Sequence, residues 1–170
     1  EEALEKALDT MARAVKACDE AGFADCILCP ETMGKVNQLG DLNEVMELCQ
    51  VDERMIPTID FGHLNARTFG TIKGKEAYAA ILDTLENRLG ADRASRFHSH
   101  FSKIMYTVPG GEKMHLTFAD EEYGPQFEPL MELIAKKGWT PRFICESAGT
   151  QTEDAAKMME YYRSQIGIEG

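Results

Sequence analysis

Four short apolar runs recur along the chain, each carrying an acidic or imidazole side chain at or near its end and each followed by a polar stretch and an amphipathic helix. Residues 26–30 lead to Glu31, residues 55–59 to Asp60 and residues 141–145 to Glu146, while residues 95–101 contain His98 and His100. Such runs read as strands buried on both faces, as in a parallel sheet. The helices have their own punctuation. An opening stripe of Leu4, Leu8, Met11, Val15 and Cys18 stops at Gly22, and Asp41 with Glu44 forms a capping box ahead of Leu42, Val45, Met46 and Cys49. A third helix over residues 75–89 turns Tyr78, Ile81, Leu82, Leu85 and Leu89 inward before Gly90. A fourth spans residues 127–137 and closes at Gly138, and Thr150 with Glu153 opens the last.

A helix followed by four strand-plus-helix units is an all-parallel α/β pattern, which leaves a doubly wound sheet or a TIM (β/α)8 barrel. No G-x-G-x-x-G fingerprint follows the first run, which argues against the doubly wound nucleotide binder. The barrel reading makes residues 1–170 a single partial TIM-barrel domain, the C-terminal half of a longer chain. Half a barrel leaves sheet edges open, so its expected partners include the N-terminal half of the barrel or a second copy. No window approaches the ~20 consecutive apolar residues of a membrane span. Five scattered cysteines and no secretory signal point to reduced thiols in the cytoplasm. The net charge of −11 disfavours indiscriminate nucleic-acid binding, which depends on basic residues neutralising phosphates.

In a barrel the carboxyl ends of the strands open on one face, where active sites are built. Glu31, Asp60, His98 and Glu146 therefore converge as metal ligands, suited to Zn²⁺ and also to Mn²⁺ or Mg²⁺. His63, three residues after Asp60, and His115 form a second group for another metal or for substrate. His100 alternates with His98 on the same face and reads as a ligand, an outer hydrogen-bond partner or a barrel-core residue, with the last two favoured. Cys26 and Cys29, in C-x-x-C spacing, read as core packing, as do Met158 and Met159. Residues 99–118 read as a long loop, reversing at Pro109-Gly110-Gly111, with a lid or substrate-contact role. The loops above the strand ends are net positive, from Lys35, Arg67, Lys73, Lys75, Lys103 and Lys113 against Glu112. Arg67, Lys103 and Lys113 are the candidates for binding an anionic substrate.

Cys29-Pro30-Glu31-Thr32, Ile59-Asp60-x-x-His63, His98-x-x-x-x-Lys103 leading through glycines to His115, and Pro141-x-x-Ile144-x-Glu146 resemble, in order, the C-terminal half of the endonuclease IV family. That family belongs to the xylose-isomerase-like TIM-barrel superfamily. The resemblance implies a trinuclear zinc site that hydrolyses the DNA backbone at abasic sites through a metal-bound hydroxide. By position, Glu31 would bridge two metals, with Asp60, His98 and Glu146 completing one shell, and His63 and His115 would hold the third. Glu31 and Glu146 are then the catalytic carboxylates, and damaged DNA is the partner. Lys113 stands two residues before His115, where the family has an Asp ligand, and Glu112 is the nearest carboxylate that could replace it. Two alternatives remain open. One is a single-metal sugar isomerase or epimerase of the same superfamily, in which Glu31 and Glu146 exchange a proton with a sugar or phosphorylated small molecule. The other is a non-catalytic fragment.

Overall fold

The computed structural model describes residues 2–167. The elements run α1 (Glu2–Glu20), α2 (Leu42–Cys49), β1 (Thr58–Asp60), α3 (Phe61–Arg67), α4 (Gly74–Leu89), α5 (Ala91–Ser95), β2 (His98–Phe101), β3 (Lys103–Thr107), β4 (Gly111–Leu116), α6 (Glu128–Lys137), β5 (Arg142–Cys145) and α7 (Gln151–Gln165). A parallel sheet has the order β1-β2-β5, with Thr58 opposite His98 opposite Arg142, and Asp60 opposite His100 opposite Ile144. The backbone at Glu31 lies beside β1, where Thr58 N–H donates to Pro30 O and Thr32 N–H to Thr58 O at 2.8 and 3.0 Å. The four strand-end positions are thus neighbours across one ladder. This is an α/β partial barrel, as the pattern of runs predicts.

Alternation along the strands sends Ile59, Ser99, Phe101, Phe143 and Cys145 to the helical side. There the core forms around Phe61, Tyr78, Leu82, Leu85, Phe97, Phe101 and Leu130, all fully buried. Phe61 meets Tyr78 and Phe97 edge-on at 5.4 and 6.2 Å between ring centroids. Burying a side chain of this size contributes roughly 1.5–3 kcal/mol, so residues 2–167 carry a core of their own.

β1 is buried on both faces as expected, whereas β2 and β5 are covered by helices on one face and more open on the other, which corrects the expectation for them. Ile27 and Ile144 remain 47% and 46% exposed, and Cys26 and Cys29 are exposed rather than packed in a core. Residues 26–30 pair with β1 only near Glu31, and among the described residues no strand pairs with their other edge. Three further local differences follow from tertiary contacts. Residues 99–118 fold into β2, β3 and β4 rather than a loop, the last two as an antiparallel hairpin. Residues 91–95 make the short helix α5 before β2 begins at His98. Thr150 Oγ1 donates to the Asp154 carboxylate at 2.7 Å, so no box forms with Glu153.

The Asp41 box forms as expected, with Glu44 N–H donating to Asp41 Oδ1 and Asp41 N–H to Glu44 Oε2 at 2.9 and 2.8 Å. The apolar stripe of α1 is half-buried throughout and packs on α2. Met158 joins the core, whereas Met159 is 51% exposed. No helix among the described residues is long and apolar enough to cross a membrane.

Candidate metal centre

Asp60 is both the last residue of β1 and the N-cap of α3, its Oδ1 accepting from His63 N–H at 2.7 Å. The cap fixes the first turn of α3 over the end of the sheet, and His63 is carried with it. Asp60 is fully buried, yet its Oδ2 has no hydrogen-bond partner among the described residues. An unpaired buried carboxylate oxygen costs several kcal/mol unless a cation or proton meets it. His63 Nδ1 lies 3.4 Å from that oxygen but 2.9 Å from Thr32 O. A carbonyl only accepts, so Nδ1 carries the proton and Nε2 is the free lone pair.

Two groups of ligand-capable atoms result. Glu31, Asp60, His100 and Glu146 each offer an atom, all within 4.8 Å of one another, and His63, Glu112 and His115 do the same beside them. In the first group His100 Nδ1 donates to Glu31 Oε1 at 2.9 Å and sits 3.4 Å from Glu146 Oε1. In the second, Glu112 Oε2 is 3.5 Å from His63 Nε2 and Oε1 is 3.8 Å from His115 Nε2. His115 Nδ1 is hydrogen-bonded to Ser102 Oγ at 2.8 Å. Both imidazoles therefore have Nδ1 engaged elsewhere and Nε2 turned to the carboxylate, the way metal-ligating histidines are oriented.

The charges agree with this arrangement. Burial works to raise Glu31, but the hydrogen bond from His100 and the imidazoles of His100, His63 and His98 outweigh it and hold the carboxyl below its ordinary range. Burial pushes Asp60 up, with Glu31 and Glu146 adding repulsion that His63 opposes. The hydrogen bond to Glu31 raises His100. Burial and the neighbouring His100 lower His98. Converging carboxylates of which one is orphaned and pushed toward its neutral form are stabilised by a divalent cation. Oxygen and imidazole donors without a thiolate suit zinc or a harder ion.

The structure brings together five of the six ligands expected from the sequence, Glu31, Asp60, His63, His115 and Glu146. The sixth is exchanged. His98 lies opposite Thr58 and His100 opposite Asp60, so at ~3.3 Å per residue His98 sits about 6.6 Å deeper along the strand. His100 is the imidazole that stands beside Glu31, Asp60 and Glu146, and His98 meets its ring edge-on at 5.3 Å between centroids. Glu112 is an addition. The two outer cations are also placed differently from expectation. Arg67 donates to the carbonyls of Met33, Lys35, Val36 and Gln38, and buried Lys103 donates to Asp120 O, so both hold loops in place. Lys113 is exposed.

A parallel partial barrel with a carboxylate or an imidazole at each strand end has a counterpart among known families. The family described as the xylose isomerase-like TIM barrel matches residues 1–165. The chain belongs to it. A curated relative, the uncharacterized protein MJ0133 of Methanocaldococcus jannaschii, is 33% identical over 143 residues, which is 84% of this chain and 50% of that protein. The chain thus spans about half the length of the relative it matches. No solved structure matches it significantly. As a xylose isomerase-like TIM barrel, the chain presents the carboxyl ends of its strands, and both ligand groups, on the face where such barrels build their sites.

Proposed function

We propose that these residues are the C-terminal part of the active site of a metal-dependent phosphodiesterase of the endonuclease IV kind, hydrolysing the DNA backbone at abasic sites. The superfamily includes both endonuclease IV and sugar isomerases, and the observation that favours the hydrolase is the second ligand group. An isomerase working with one metal needs only Glu31, Asp60, His100 and Glu146. Here His63 lies 3.6 Å from Glu31 by its Nδ1 and 3.5 Å from Glu112 by its Nε2, which couples the two groups edge to edge.

In this reading Glu31, Asp60, His100 and Glu146 hold one divalent ion, and His63, Glu112 and His115 another, with Zn²⁺ favoured and Mn²⁺ or Mg²⁺ compatible with the donors. Bound there, such ions neutralise charge on phosphoryl oxygens and acidify water. The protein's own groups do the rest. Glu146, at 37% side-chain exposure the most open member of its group, faces the substrate and accepts a proton from the attacking water. Glu31 holds His100 in place through the 2.9 Å hydrogen bond. Exposed Lys35 and Lys113 lie on the two segments that meet at Gly111, beside Glu112, and attract the phosphate backbone.

The sugar isomerase remains the second reading, supported by the engagement of Arg67 and Lys103 in loop hydrogen bonds, which leaves fewer free cations for a polyanion. Incubation of the full-length protein with a duplex carrying one abasic site separates them. Strand nicking with more than one metal per chain supports the hydrolase. One metal, intact DNA and interconversion of a ketose would sink it.

A further inference from the structure

The geometry points to a β-bulge at Lys113 as the device that makes Glu112 the carboxylate ligand of the second metal group. This inference rests on the metal-centre reading and concerns how that centre is assembled.

In a regular strand, residues an odd number apart face opposite ways. Lys113 and His115 would then share a face, and Glu112 would point away from both. The hairpin register breaks this rule. Ile104 is opposite His115 and Met105 opposite Met114, but Tyr106 is opposite Glu112, so Lys113 has no partner across the ladder. One extra residue in β4 changes the parity. Glu112 and His115 come to lie opposite Tyr106 and Ile104, two apart on the regular strand β3, and therefore on one face.

The backbone around the bulge is built to accept this aim. Glu112 N–H donates to Gly34 O at 3.0 Å, and Val36 N–H donates to Gly110 O at 3.3 Å, so residues 34–36 clamp the start of β4. Gly111 has φ +81, and a Cβ there would stand 2.4 Å from Gly34 O. A Cβ on Gly34 would stand 2.6 Å from Glu112 Cβ and 3.0 Å from His63 Cδ2. Gly111 thus lets the two backbones close on each other, and Gly34 leaves the space that Glu112 fills between the Nε2 atoms of His63 and His115. Lys113 acts by occupying a position in the chain count, and its ammonium group takes no part in ligation.

Zinc content of the full-length protein, measured after equilibration with Zn²⁺ and removal of excess, tests this with four variants. Glu112→Ala is expected to hold one zinc fewer than wild type. Glu112→Ala/Lys113→Asp, which places a carboxylate two residues before His115, is expected to stay one short, because position 113 faces away. Lys113→Ala and deletion of Lys113 are both expected to keep the wild-type content, since deletion yields a regular strand with Glu112 and His115 two apart. Circular dichroism checks that each variant is folded. Wild-type content in Glu112→Ala, or recovery of the missing zinc in the double variant, overturns the assignment of Glu112. Loss of one zinc in folded Lys113→Ala or in the folded deletion overturns the role of the bulge. A wild-type protein that binds no divalent ion at all overturns the metal centre itself, a result distinct from either.

Discussion

Asp60 concentrates the conflict that defines the site, because it must stay at the N-cap of α3 while its second oxygen goes without a partner. Glu31 and His100 share the other strong contact, and Glu31→Gln is expected to abolish activity and lower metal content under either enzymatic reading. Activity retained in that variant would mean that the centre lies elsewhere. The two strand histidines separate more sharply. His100→Ala is expected to weaken metal binding by at least tenfold, whereas His98→Ala changes it little, and titration with Zn²⁺ in the presence of a competing chelator reads the difference. Ser102→Ala removes the hydrogen bond to His115 Nδ1 and is expected to cost ~10–100-fold in affinity at the second group. Protons compete with metal at His100. Its hydrogen bond to Glu31 raises it above an ordinary imidazole, so metal affinity is expected to start falling at a pH above the usual ~6.5 and to keep falling as the pH drops.

At the scale of elements, the start of α7 is held by a carboxylate that sequence patterning places one residue too early. Asp154 is buried and accepts from Phe118 N–H at 3.0 Å, Thr150 Oγ1 at 2.7 Å and Lys157 Nζ at 3.2 Å. Burial alone would raise it, but these donors prevail and hold it below its ordinary value. A depressed carboxyl contributes stability that is complete above the unfolded value of ~3.9 and is lost as the pH falls through the folded value. Asp154→Ala is therefore expected to destabilise the fold by about 2–3 kcal/mol near neutral pH, with the difference shrinking below pH ~4 in denaturant titrations. Gly34→Ala tests the clamp between residues 34–36 and β4. It is expected to lower the melting transition and to reduce zinc affinity at His63, Glu112 and His115 by about tenfold or more, because the clash falls on Glu112 Cβ, which gives way only if the β4 backbone moves.

At the scale of the whole molecule, one covered and one open face of the sheet set the behaviour. A metal that binds the folded chain alone raises its stability by mass action, about 2.7 kcal/mol at a hundredfold excess over Kd. The melting temperature is accordingly expected to rise with Zn²⁺ concentration and to fall on chelation. Exposed Cys26 and Cys29 report on the open edge. In residues 1–170 alone they are expected to react readily with a thiol reagent, and to be protected in a longer form of the protein whose added strands pair with that edge. Equal reactivity in both would argue against closure at that edge. The parallel α/β pattern, helices α1, α2, α4, α6 and α7, the Asp41 cap and the positions of Glu31, Asp60 and Glu146 were legible in the chain itself, because periodicity and capping are properties of neighbouring residues, whereas α3, α5 and the β3–β4 hairpin were not. The choice of His100 over His98 was not, since alternation reports which face a side chain takes but not how deep along the sheet it lies. That depth is set by the pairing of β2 with β1. Glu112 could be named only as the nearest carboxylate to Lys113, because the bulge that aims it at His115 is defined only against a partner strand. Arg67 and Lys103 carry charge that any reading of composition assigns to substrate, yet the carbonyls that claim them come from residues 33–38 and Asp120, brought close only when the chain has folded.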